Sequence, residues 1–292
     1  MSGRGRLESG AELWCGLAVL AEEPDPGHRP VLDAFGLDRG PTAAEHTDLF
    51  AFQLFPWASV YLGDEGQRGG EARDRIAGFW RALGARPPEE CDHLVVLLAA
   101  YADLVDRAGE PRADHAREAF FWEHLASWLP AYLVRTVELG SGPYRRWARL
   151  VADALAAEAR VLGRTAPGEP AALREAGPVV DPRVDGAEPF VASLLSAARS
   201  GMILVRDDLL RAGRELALGV RPGERRWVLC ALLGQRPSAV LGWLADEARR
   251  QGALWQEAFP RGASREHWTG RSSATAALLA ALAAESDEPA LT

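Results

Sequence analysis

Apolar residues in this chain recur at three- and four-residue spacing almost from end to end, and the pattern is densest between Glu89 and Tyr132. Leu94, Leu97, Leu98, Tyr101 and Leu104 fall on one broad helical face, because side chains three and four residues apart lie one above another. Phe120, Phe121, His124, Leu125 and Trp128 mark a second helix, interrupted at Pro130. The short GEPRAD turn between them predicts antiparallel neighbours. Isoleucine occurs only twice, and no alternating apolar run meets a hairpin turn. The expected fold is therefore all-α.

The same signals place the other helices. Leu13, Trp14, Leu17 and Leu20 mark a first helix that ends before Pro24 and Pro26. Thr42 with Glu45 reads as a capping box ahead of Leu49, Phe50, Phe52 and Leu54, and Pro56 ends that segment. Gly69 and Gly70 open the helix of Ile76, Phe79, Trp80 and Leu83, which Gly84 closes. Ser141 and Pro143 open a helix running to Leu162, with proline in its first turn where the missing amide costs nothing. Residues 164–187 carry Pro167, Gly168, Pro170, Gly177, Pro178, Pro182 and Gly186 without an apolar stripe, so a linker or loose loop is expected. Helical patterning resumes over 188–292 in about five segments. The division is thus 1–163, a linker at 164–187, and a C-terminal helical extension at 188–292.

Bulk properties exclude several function classes. With 292 residues, 48% hydrophobic and 25% charged, the chain can bury a sizeable core. A formal charge of −8 argues against nucleic acid, whose phosphates are bound mainly by lysine and arginine. Cys15, Cys91 and Cys230 lie far apart without CxxC spacing, which fits a reducing compartment. The first ten residues lack the apolar core of a signal peptide. The longest apolar run, Ala274 to Ala284 with one threonine, falls short of a bilayer span. A cytoplasmic protein without stable membrane insertion is expected.

No motif supplies the minimal parts of an enzyme. A GxSxG elbow, a P-loop and a helix-opening GxGxxG are all absent. Five histidines follow an acid directly, including Asp92-His93 and Glu123-His124, but adjacent helical residues point about 100° apart and cannot chelate one ion together. Only Glu90-x-x-His93 has the form used by di-metal bundles, which need two such units. Neither a metal nor a cofactor is expected, and no catalytic residue is assigned.

The ordered combination Tyr61-Leu62-Gly63, Phe79-Trp80-x-x-Leu83-Gly84, Asp92-His93-Leu94 and Glu123-His124-x-x-x-Trp128-x-Pro130 resembles the TorD/DmsD/NarJ family of molybdoenzyme maturation chaperones. The resemblance runs from about Leu13 to about Leu162. The sequence departs from the family pattern at Cys91, where proline is frequent, and at Leu97, where many members carry glutamate. Ser200-Gly201 and Arg206-Asp207-Asp208-Leu209 are similar to the extra segment of longer TorD-like proteins.

The resemblance implies a TorD-like helical bundle with an added C-terminal segment. It implies as partners the catalytic subunit of a molybdopterin oxidoreductase and its twin-arginine leader peptide, with shielding of that leader until the cofactor is inserted. Guanine nucleotide has been associated with family members, and no motif here predicts it. A receptor for such a leader needs an apolar groove with carboxylates at one end. The expected walls are the faces of the helices at 71–84, 93–108 and 115–129, with Glu90, Asp92 and Glu123 near them. Asp92 reads as a helix N-cap, as a partner for a cationic ligand, or as both. His93 at a helix start can order a loop as a neutral group. His124 and Trp128 share a face that suits a core stripe or a groove wall, together with Leu97 and Tyr101. Trp80, with Phe79 inward, is the candidate for a partly exposed groove aromatic. Tyr61 can bond a peptide backbone or sit capped in the core. The alternative is an all-α enzyme or ligand-binding regulator using Asp92, His93 and His124 as its polar groups.

Overall fold

The computed structural model describes residues 9–63, 66–163 and 168–287, and every regular element among them is helical. The first eight residues, most of the stretch read for a signal peptide, lie outside the described residues, as do 164–167 of the expected linker. The first half contains α1 (Gly10–Val19), α2 (Arg29–Ala34), α3 (Ala43–His46), α4 (Ala58–Leu62), α5 (Gly70–Ala82), α6 (Leu94–Asp106), α7 (Pro111–Phe120), α8 (Leu129–Leu139) and α9 (Gly142–Val161). The capping box of α3 forms as read: Thr42 Oγ1 accepts from the Glu45 amide at 3.2 Å, and the Glu45 carboxylate accepts from the Thr42 amide at 2.7 Å. The turn between α6 and α7 is shorter than GEPRAD, because Pro111 already occupies the first turn of α7.

Two stretches read as ordinary α-helix are wound more widely. Thr47–Gln53 after α3 and Phe121–Leu125 after α7 are π-helical, and their ends are closed by amide-to-carbonyl bonds five residues apart, Leu54 to Leu49 and Ala126 to Phe121, each 2.7 Å. The wider winding rotates the following side chains, so Phe52, which an α-helix would bring to the side of buried Leu49, stays 53% exposed.

The second half contains α10 (Ala171–Glu175), α11 (Pro182–Asp185), α12 (Ala187–Leu195), α13 (Ala197–Ser200), α14 (Arg206–Glu215), α15 (Arg225–Gln235), α16 (Pro237–Ala258) and α17 (Ala263–Asp287). The described part of the expected linker, 168–187, is not a loose loop. It forms two short helices and buries Leu173, Ala176 and Val179. Composition missed this because three anchors spread over a proline-rich segment make no stripe.

One core gathers Leu97, Tyr101, Phe121, Trp128, Tyr132 and Trp147 from the first half with Trp255 of α16, Phe259 just past it and Trp268 of α17. A second, formed by Phe190, Leu194, Leu209, Leu229, Leu244 and Leu279, lies wholly within the second half. Trp268 shows how the halves join: it is fully buried and its indole donates to the Ser127 carbonyl at 2.8 Å. Burial of one such side chain stabilises by about 3 kcal/mol.

A closed ring of six alternating charges also crosses the junction. Arg135 and Glu138 come from α8, Asp208 and Arg211 from α14, and Glu247 and Arg250 from α16. Arg135 pairs with Asp208 at 2.6 Å, and both side chains are under 5% exposed.

An aromatic trough with an acidic edge

The turn at Glu89–His93 is held by backbone before any side chain is considered. The Ala58 amide donates to the Asp92 carbonyl at 2.9 Å and the Leu94 amide to the Pro56 carbonyl at 2.7 Å, making a one-rung antiparallel bridge between Trp57 and His93. Asp92 itself is buried. Its carboxylate accepts from the Ser59 hydroxyl at 2.5 Å and the Ser59 amide at 3.3 Å, and the same hydroxyl accepts from the Gly69 amide at 3.0 Å. The N-cap of α6 is therefore not Asp92 but His93, whose Nδ1 accepts from the Val95 amide at 3.3 Å. Asp92 instead ties the turn to α4 and to the glycine-rich segment before α5.

Beside this bridge opens a trough of about 1180 Å³. Its apolar surface comes from Phe50, Phe52 and Phe55 on the π-helical segment and just past it, Trp57 and Val60, and Val95 and Val96 at the start of α6. Carboxylates of Glu22, Glu23, Glu90 and Glu224 stand along it, with His46, His93, Arg68, Arg206 and Arg225. Arg225 is not free, because its guanidinium donates to the Leu204 carbonyl at 2.8 Å. Desolvation lowers the pKa of both His46 and His93 despite nearby Glu23 and Glu90, which favours their neutral forms.

The eleven residues singled out from sequence separate into groups. Glu90 and His93 line the trough. Tyr61, Leu97, Tyr101 and Trp128 are almost wholly buried. The Tyr61 hydroxyl donates to the Phe55 carbonyl at 2.9 Å and its ring stacks on Trp128, while Trp128 donates to the His124 carbonyl at 2.9 Å. The expected walls at 93–108 and 115–129 thus turn these aromatics and leucines into the core. Phe79 packs edge-on against Phe120 and His124, and Trp80 is half-buried against the same core. Burial pushes the pKa of His124 down to about 4. Glu123 accepts from the Ala171 amide at 3.0 Å, at the start of α10. Among the described residues no hydrogen bond or ring contact joins His124 to Asp92 or His93, and no group of three potential metal ligands occurs. The sequence pattern marks Phe52 only as part of a helix and does not single out Trp57 or Arg68. The Pro56-Trp57 step was the available signal for Trp57.

Part of this chain resembles known proteins. The family described as "Nitrate reductase delta subunit" matches residues 36–133, the span holding the bridge, the π-helical segments and Asp92-His93. A protein named "Chaperone protein TorD" from Vibrio vulnificus strain YJ016 is 30% identical over 111 residues, covering 33% of this chain and 52% of that relative. Over this stretch the chain is similar to the TorD/NarJ family. Another protein of the same name, from Shewanella pealeana, is 30% identical over 124 residues, 37% of this chain and 54% of the relative. The chain spans about half the length of the curated relatives it matches. No solved structure matches it significantly. No described helix is long and apolar enough to cross a membrane. The Asp-His pair of this chain divides its labour: Asp92 fixes the turn from inside and His93 faces the trough.

Proposed function

We propose that this chain is a cytoplasmic, non-catalytic chaperone for a molybdopterin-containing oxidoreductase, and that it binds the twin-arginine leader of the catalytic subunit before the cofactor is in place. Its relatives are named as chaperones. The observation that carries the reading is the trough: exposed Phe52 and half-buried Phe55 and Trp57 beside a backbone bridge, with carboxylates along its length. A leader with a basic stretch ahead of a moderately apolar one matches that combination, the apolar part covering Phe52 and Phe55 and the basic part meeting Glu23, Glu90 and Glu224. Ordering a disordered peptide opposes binding, so affinity is modest and release needs no energy source.

The test is titration of the full chain with a fluorescent peptide carrying adjacent arginines before an apolar segment. Binding that weakens on Phe52→Ser and on raising salt supports the reading. Binding unaffected by Phe52→Ser, or the absence of binding, removes it. Trp80→Ala and Asp92→Asn complete the series: the first tests a contribution from outside the trough, the second the need for a fixed turn.

A further inference from the structure

Two aromatic rings of the trough already carry a guanidinium supplied by the chain itself. The Cζ of Arg68 lies 4.3 Å from the centroid of the Trp57 ring, and that of Arg206 lies 5.5 Å from the Phe52 ring. At the first pair the recognition is complete. Glu90 accepts from the Trp57 indole with one carboxylate oxygen and from the Arg68 guanidinium with the other. The indole thus orients the carboxylate and offers its face, and the flat cation is held at once by stacking and by charge. A guanidinium satisfies both demands, whereas a lysine ammonium is a compact, strongly hydrated point charge without a stacking face.

Arg68 is a replaceable occupant. Its side chain is 54% exposed, and its backbone lies between Gly66 at φ +60° and Gly69 at φ +99°, with Gly70 following at φ +68°. Trp57 and Glu90, in contrast, are fixed. The first is in the bridge to His93, and the second lies in the turn that Asp92 anchors through Ser59. Removing Arg68 therefore empties the position without dismantling it.

We propose that Trp57 and Glu90 form an arginine seat that Arg68 holds in the free protein, and that an arginine of the incoming peptide displaces Arg68 to take it. The inference rests on the trough being the peptide site, and it adds a prediction that site alone does not make: the chain competes with its own ligand. Removing the competitor strengthens binding, where removing an ordinary contact residue weakens it.

The test compares the full chain with Arg68→Gln, Trp57→Leu and Glu90→Gln, using a peptide with two adjacent arginines before an apolar segment and the same peptide with two lysines. Arg68→Gln is expected to tighten the arginine peptide about three- to ten-fold, the scale of one exposed stacked and paired cation, while moving the lysine peptide much less. Trp57→Leu and Glu90→Gln are expected to erase the preference for arginine. If the wild-type chain binds the peptide and Arg68→Gln weakens binding or leaves it unchanged, the seat is overturned while the peptide-binding reading stands. A second measurement does not depend on any peptide. Titration with arginine amide should shift the Trp57 indole N–H resonance at lower concentration in Arg68→Gln than in wild type, with lysine amide nearly silent. If arginine amide gives no such shift in Arg68→Gln, there is no seat, whatever the peptide does.

Discussion

A buried carboxylate costs free energy unless its lone pairs are used, and Asp92 uses them on the Ser59 hydroxyl and amide. Replacing it with alanine leaves both donors unpaired under the α4 start, with an expected loss of about 2 kcal/mol. Chemical denaturation of Asp92→Ala and Ser59→Ala checks this, and the double variant should cost less than the sum of the two, because they break the same bond. His124 makes a separate prediction. Burial between Phe79 and Phe120 holds its pKa near 4, below the ordinary value of 6.5, so the unfolded chain takes up a proton before the folded one does. Its contribution is complete above pH 6.5 and is lost as the pH falls from there to 4, amounting to at most about 3 kcal/mol. Glu247 acts in a lower window. Burial raises its pKa, but hydrogen bonds from Arg250, Gln251 and Arg211 outweigh this and bring it to about 2, so its contribution is lost only between pH 4.5 and 2. A pH series of unfolding free energies on His124→Phe should therefore show a flattened slope from 6.5 to 4 and an unchanged slope below. An unaltered upper limb would mean that His124 is solvated in the folded protein.

At the scale of elements, the long helices were legible because one-sided burial leaves a periodic trace, as in α6, where Leu94, Leu97, Leu98 and Tyr101 are all fully buried. The trough was not legible, for two physical reasons. Phe50 and Phe52 lie in a π-helical segment, whose wider winding turns Phe52 away from buried Leu49, three residues back, without altering the sequence pattern. Its polar contacts span gaps the sequence does not display, with Arg68 and Glu90 twenty-two residues apart and Ser59 and Asp92 thirty-three. Of the motif residues, Glu90 and His93 line the trough, whereas Asp92 is buried behind it. Helix junctions carry a similar hidden constraint at Gly201. It adopts φ +67°, and a Cβ there would stand 2.3 Å from the Ser272 amide nitrogen and 2.8 Å from the Trp268 carbonyl, both backbone atoms of α17. Neither atom can rotate away, so α13 and α17 would have to separate. Gly201→Ala is expected to destabilise by roughly 3 kcal/mol, from left-handed strain and overpacking together. Gly142→Ala, which meets nothing within 4 Å, serves as the control. Equal thermal stability of the two variants would show that the junction is looser than its geometry implies.

For the whole molecule, the question is whether the division at 163 and 187 separates units that fold or only units that act. We propose the second: 1–163 carries the trough's floor and most of its edge, and 188–292 closes one side of it with Arg206 and Glu224 while completing the core beneath. Cutting after 163 would remove Trp255, Phe259 and Trp268 from the first core, leave the Ser127 carbonyl without its indole donor, and strip Asp208 from the nearly inaccessible Arg135. Losing these apolar anchors and the Asp208 partner together removes a large part of an ordinary domain's stability, even though Arg135 keeps Glu138. A 1–163 fragment is therefore expected to keep helical circular dichroism while losing the near-ultraviolet signal of its packed tryptophans. Asp208→Ala in the full chain removes the acid of the Arg135 pair together with the carboxylate that accepts from the Val205 amide at the start of α14. It should lower stability by about 3–5 kcal/mol, and the paired change Arg135→Met with Asp208→Leu should recover much of that, because two apolar groups leave no charge stranded. If the fragment instead unfolds in one cooperative transition with its near-ultraviolet signal intact, the first half folds alone, and the charge ring and Trp268 only dock a finished domain onto its neighbour.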